Sequence, residues 1–217
     1  MPKKKLKNAL IDEVALSLLP PKPRKADRTK VLIVEAAIKN YATFGFDQTT
    51  FDKVAHTAGI SRPLVMHYFK DKEELLFLAI RHIRLLFQRM AIESIRSSDS
   101  PPKQLEAYVR STFEWIRKFP THAQSWLYFY YATSIRSKFK DLNSELVEMG
   151  RLRIAAILEE GNKQKKWSVK NAGVTAKRIQ TVITGALVAA VTEDLPVSLR
   201  DFEADILDFC NQTVTLK

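Results

Sequence analysis

A single cysteine, Cys210, has no partner for an intrachain disulfide, and no Cys-x-x-Cys or Cys/His spacing offers a zinc framework. The expected setting is a reducing cytoplasm, with Cys210 a small packing residue among Ile206, Leu207 and Phe209 and with neither metal nor cofactor. Glycine is scarce, 6 in 217 residues, and none lies in a phosphate-cradling loop. His56, His67, His82 and His122 are scattered, and no Ser/His/Asp or paired-carboxylate grouping can be placed, so the chain is not expected to be an enzyme. The longest apolar run, Ile179 to Val191, contains Gln180 and falls short of the roughly 20 residues that span a bilayer, so it reads as a buried helix. Lys3, Lys4, Lys5 and Lys7 resemble the start of a signal peptide, but Asp12 and Glu13 break the apolar run that follows, and no secretion is expected. Acidic side chains are also in deficit, 24 against 35 Lys and Arg, and a net charge of +11 points to a polyanion or an anionic membrane surface as partner.

With 46% hydrophobic residues the chain can bury one sizeable core or two small ones. Helical spacing predominates and no strand-like alternation persists after Lys103, so the fold class is all-α. A first helix is predicted from about Arg28 to Phe44, closing at Gly45, with Val31, Val34, Ala37, Ile38 and Tyr41 facing a small core. A long helix is predicted from Lys72 to Arg96, ending in Ser97 to Pro102, and further helices over about 103–118, 121–138, 141–160, 175–194 and 199–213. Before them, Pro20, Pro21 and Pro23 with Lys22, Arg24 and Lys25 form a stiff basic linker. It follows an amphipathic stretch, Asn8 to Leu19, that would pack on this or a partner subunit, stay disordered until bound, or touch a membrane.

The most informative segment runs from Asp47 to Leu75. Thr49 and Thr50 offer hydroxyls at a helix start, and Phe51, Val54, Ala55 and Ala58 recur at helical spacing. Gly59 tolerates positive φ just past that helix, Ile60 plugs the angle, Ser61 stands at the next N-cap, and Pro63 falls in the first turn, where its missing N–H costs little. Two short helices joined by a tight turn make a helix-turn-helix, with Arg62, Pro63 and Leu64 leading the second. Arg62 can donate two bonds to a guanine edge, Pro63 and Leu64 can lie against thymine methyls, and Lys70 and Lys72 can neutralise backbone phosphates. His67 reads either as a base contact or as a surface histidine, and Lys70 and Lys72 either as phosphate ligands or as solvated charges beside Asp71, Glu73 and Glu74. Of the adjacent Tyr68 and Phe69 only one can face inward, and Phe69 is the core choice.

The spaced anchors Thr49-Thr50, Val54-Ala55, Ala58-Gly59-Ile60-Ser61, Tyr68-Phe69 and Lys70 to Leu75 resemble the N-terminal DNA-binding domain of TetR-family transcriptional regulators, over roughly Thr29 to Leu78. The family usually has Tyr where this chain has Met66 and often Gly where it has Pro63. The resemblance implies that Arg62, Pro63, Leu64 and His67 face bases while Thr50, Ser61, Tyr68, Lys70 and Lys72 hold phosphates. It implies three parts: an extension over 1–25, a DNA-binding domain over 26–71, and a ligand-binding and dimerisation domain over 72–217.

In that last part, aromatics crowd two consecutive helices, and Trp115, Trp126, Phe129 and Tyr130 are the pocket candidates for a hydrophobic or aromatic effector, against the plainer reading of ordinary core. Gly150 on one helix and Gly185, Ala186 and Ala189 on another let helices approach closely, and the resemblance puts these two helices in a four-helix dimer interface, against the plainer reading of intrachain packing. The function implied is a homodimeric regulator, a repressor of a palindromic double-stranded operator, released by a small effector. The alternative is a helical scaffold that uses the N-terminal amphipathic segment to bind partners.

Overall fold

The computed structural model describes residues 22–215, and among them every regular element is a helix. The predicted amphipathic stretch from Asn8 to Leu19 lies outside the described residues. In chain order the helices are α1 (Lys25–Gln48), α2 (Phe51–Ala58), α3 (Arg62–Tyr68), α4 (Lys72–Arg96), α5 (Pro101–Lys118), α6 (Pro120–Ile135), α7 (Ser137–Lys163), α8 (Ala172–Thr192) and α9 (Leu199–Thr215).

Helix starts follow local chemistry. Arg24 precedes α1, and its backbone N–H donates to the carboxylate of Asp27 at 2.8 Å, so the helix begins at Lys25, three residues before the predicted Arg28. Gly45 has φ 72°, which kinks α1 before a last short turn through Phe46. Pro101 and Pro102, read from sequence as the stop of α4, are the first two residues of α5, and Pro120 opens α6 in the same way. Proline suits that place because the first N–H groups of a helix have no partner within it.

Two compact units emerge. One comprises residues 22–88 and 119–141. In it α6 packs along α1, and α1 packs on α2, which packs on α3. Ile33, Val34, Ala37, Ile38 and Tyr41 of α1, Val54 of α2, Val65 of α3 and Leu75, Leu76, Ala79, Ile80 and Ile83 of α4 are buried there. Each large apolar side chain so enclosed contributes about 1.5–3 kcal/mol. Ile33 takes the inward place expected of Val31, which is only half-buried, and Leu32 beside it is exposed. The hydroxyl of Ser125 on α6 donates to the carbonyl of Ile38 on α1 at 2.8 Å, fixing the register of that pair. Residues 119–141 therefore share a core with the N-terminal helices.

The second unit comprises residues 89–118 and those from 142 onward. Here α5, α8 and α9 pack against one another around Leu105, Val109, Phe113, Ile179, Ile183, Leu207 and Cys210. Arg110 and Arg117 of α5 both donate to the buried Glu203 of α9, at 2.9 and 2.7 Å. Such charge-assisted pairs give helix docking a direction that apolar contact lacks. Helix α8 is long and apolar enough to cross a membrane by length and composition alone. Its Ile179, Ile183, Ala186 and Leu187 are buried while Val174, Thr181 and Gly185 are exposed, so the run expected to be buried is covered on one face only.

Candidate nucleic-acid interface

Helix α2 begins at Thr50, whose hydroxyl accepts the N–H of Lys53 at 3.3 Å, and ends at Gly59, at φ 66° and ψ 34°. That left-handed conformation costs an ordinary L-residue roughly 1 kcal/mol and glycine almost nothing. The Gly59 N–H returns to the carbonyl of His56 at 3.2 Å, and the Ile60 N–H to Ala55 at 3.0 Å, so the turn satisfies the last carbonyls of α2 and aims the chain into α3. Thr49 is buried, with its hydroxyl donating to the Gly45 carbonyl at 2.7 Å, which leaves Thr50 as the exposed cap.

Helix α3 is only seven residues long and is held by two side chains, Val65 and the following Phe69, both buried. Everything opposite them is open: Ser61, Arg62, Pro63, Met66, His67 and Lys70 are exposed, and Leu64 and Tyr68 are half-exposed. Met66 is 53% exposed, so the residue that departs from the family pattern stands in the middle of the outward face. Ser61 sits at the N-cap with extended backbone, and no hydrogen bond to the helix engages its side chain. Arg62 meets Asp52 of α2 at 3.7 Å with both side chains largely in solvent. A pair so exposed is worth at most about 1 kcal/mol and yields readily to a stronger acceptor. His67 and Tyr68 touch edge to face at 5.3 Å.

The lysines at the end of the motif differ. Lys70 is exposed, and its backbone N–H donates to the Glu74 carboxylate at 2.8 Å. Lys72 donates its ammonium to the Asp47 carbonyl at 3.1 Å and lies over the Phe46 ring at 4.7 Å, tying the first turn of α4 to the end of α1. Lys53, not singled out in the sequence, makes a similar tie, to the Gln48 carbonyl at 2.9 Å and over the Phe44 ring at 4.4 Å.

The other sites expected from sequence fall as follows. Trp126, Phe129 and Tyr130 lie together on α6: the Trp126 and Tyr130 rings are 4.2 Å apart, and those of Phe129 and Tyr130 are 6.3 Å apart. Trp115, on α5, is buried and belongs to the other compact unit. A groove of about 1150 Å³ has a different lining, with Val174, Lys177 and Arg178 of α8, Phe209 of α9 and Lys170 before α8. Gly150 is buried on α7, where a Cβ would stand 2.7 Å from the Gln180 amide oxygen, which accepts the Tyr108 hydroxyl at 2.9 Å. Its contact is therefore within the chain. Gly185 is open, Ala186 is buried and Ala189 half-buried.

Residues 33–79 match the model of the bacterial regulatory proteins of the tetR family. The chain is 31% identical over 98 residues to the HTH-type transcriptional regulator BetI of Rhizobium meliloti, a stretch covering 45% of this chain and 48% of that one. It thus spans about half the length of the curated relatives it matches. Among solved structures, a putative transcriptional regulator from Saccharomonospora viridis in complex with choline superposes with a TM-score of 0.80 at 18% identity, covering 88% of this chain and 99% of that one. A putative TetR-family transcriptional regulator from Rhodococcus sp. superposes with a TM-score of 0.76 at 17% identity, covering 87% and 100%. The match of residues 33–79 therefore places the helix-turn-helix with the bacterial regulatory proteins of the tetR family, and the helical fold around it is shared with these solved structures.

Proposed function

We propose that this chain is a non-catalytic, ligand-responsive transcriptional regulator that binds a palindromic double-stranded operator as a homodimer and represses until a small, mainly hydrophobic effector releases it. The observation that carries this reading is the outward row of α3, from Ser61 to Lys70, held from behind by Val65 and Phe69. A helix so mounted presents its N-terminal residues to a major groove. Arg62, Pro63, Leu64 and His67 read bases, joined by Met66. Thr50, Ser61, Tyr68 and Lys70 hold phosphates, while Lys72 acts through Asp47 to position the end of α1.

The DNA-binding part is residues 26–71, and effector binding and dimerisation belong to 72–217. The uncovered apolar side of α8, around Gly185, supports a dimer face there, with two copies placing their α3 helices about one or two DNA turns of ~34–36 Å apart. The aromatic group of Trp126, Phe129 and Tyr130 supports an effector site within its own unit, while Trp115 belongs to the core of the other. Because α6 packs on α1 through Ser125 and Ile38, a shift of α6 is felt by the helix that carries the head. A coupling of about 1–3 kcal/mol, 5–150-fold in operator affinity, would make such a switch.

Fluorescence anisotropy on DNA fragments flanking the gene tests the reading. Tight, salt-sensitive binding that weakens in Arg62→Ala and Lys70→Ala is expected. Binding indifferent to both substitutions would remove α3 as the reading helix.

A further inference from the structure

Three side chains far apart in sequence meet inside the unit formed by residues 22–88 and 119–141. Glu35 of α1, His82 of α4 and His122 of α6 bring one ligand atom each to within 4.8 Å of one another. His82 Nε2 lies 2.7 Å from one oxygen of Glu35, and His122 Nε2 lies 3.3 Å from the other. His122 is nine-tenths buried, and its Nε2 has no hydrogen-bond partner, since the 3.3 Å approach to Glu35 lacks hydrogen-bond geometry. A buried ring nitrogen left in this state carries a free-energy cost. The cost disappears if the nitrogen donates its lone pair to a cation.

We propose that Glu35, His82 and His122 form a binding site for a divalent transition-metal ion of the zinc class. Two imidazoles and one carboxylate are a ligand set that zinc takes at about 2.0–2.2 Å, leaving a fourth position for water. A tetrahedron of that size has edges of about 3.3 Å. The separations from the Glu35 oxygens, 2.7 and 3.3 Å, are at or just inside this edge, so a small outward adjustment of His82 would bring the donors to it. Glu35 keeps 35% of its side chain exposed, which provides the approach for the ion and the space for its water. The Phe119 ring lies edge to face against His122 at 5.3 Å and limits how that imidazole can turn. Nitrogen and oxygen donors without thiolate favour Zn²⁺, Ni²⁺ or Co²⁺ over Ca²⁺ and Mg²⁺, which take oxygen alone. The bound ion would tie α1, α4 and α6 together.

The test is titration of the metal-free full-length chain with Zn²⁺ and with Co²⁺, read by calorimetry, by metal content after dialysis and by the visible spectrum of Co²⁺. One ion per chain is expected, with intense visible Co²⁺ bands of low coordination number and a melting temperature raised by about 5–10 °C when the ion is at 100 times its Kd. Glu35→Gln, His82→Gln and His122→Gln should each weaken binding tenfold or more. No saturable binding, or one ion still bound with unchanged affinity in all three variants, would overturn the proposal. The wild-type Co²⁺ spectrum decides the matter even if a variant fails to fold, because a spectrum identical to that of free Co²⁺ in buffer would mean that no imidazole ligates the ion.

Discussion

Trp167 closes directly over Gly161: a Cβ at Gly161 would stand 2.1 Å from the indole ring. The ring is not free to retreat, because its N–H donates to the Leu158 carbonyl at 2.9 Å. Asn162 secures the same loop by exchanging two 2.8 Å bonds with the backbone of Val169. Alanine is otherwise the better helix former by about 1 kcal/mol, so propensity alone would make Gly161→Ala stabilising. Steric exclusion of Trp167 reverses the sign. Urea denaturation should show a loss of about 2 kcal/mol, and a neutral or stabilising result would mean the indole does not hold this place.

Glu203 is the shared acceptor for two arginines, and its side chain is 5% exposed while theirs are about half exposed. Removing the acceptor should cost more than removing either donor. Glu203→Ala is expected to destabilise by about 3 kcal/mol in chemical denaturation, and Arg110→Ala by about 1 kcal/mol or less, since Arg117 remains to satisfy the carboxylate.

Burial pushes the Cys210 thiol up from its ordinary value near 9 to about 11, and burial together with Tyr128 raises the Tyr41 hydroxyl. The sign follows directly: the unfolded chain releases these protons at lower pH than the folded one. The Cys210 contribution is fully present below pH 9 and is lost as pH rises toward 11, while that of Tyr41 starts to fall only above its ordinary value of 10. The melting temperature should fall across that window, less steeply in Cys210→Ala. A thiol reagent at neutral pH should react with the native protein only at the rate of opening.

Lys70 and Lys72 separate two roles. Lys70→Ala should lower the salt dependence of DNA binding by about one unit of slope at little cost in stability. Lys72→Met should leave the slope unchanged and destabilise the head by about 1 kcal/mol, through loss of the Asp47 bond and the Phe46 contact. Salt titrations of both variants, paired with melting curves, check this.

What the sequence discloses is what neighbours along the chain decide. The bounds of α4, Lys72 to Arg96, are legible because apolar spacing and the Ser-Pro cluster after it agree, and the Gly59 turn because its conformation needs that residue. Helix α1 shows where periodicity fails. Val31, Leu32, Ile33 and Val34 are apolar in succession, so spacing could not choose between Val31 and Ile33, and packing against α6 and α2 made the choice. Pairings between distant residues are less accessible still. Nothing local marks Glu35 as the neighbour of His82, 47 positions away, or of His122. The four histidines looked scattered because only the folded chain brings two of them together. The same holds for α6, whose place beside α1 comes from Ser125 meeting Ile38 across 87 positions.

The mounting of α3 on Val65 and Phe69 also bears on how such a protein changes over generations. Positions 61, 62, 63, 66, 67 and 70 carry little of the packing, so they can be exchanged almost independently of folding. If that face reads DNA as proposed, one target can be traded for another in single steps without passing through unfolded intermediates, because Val65 and Phe69 alone keep the exchangeable face in register.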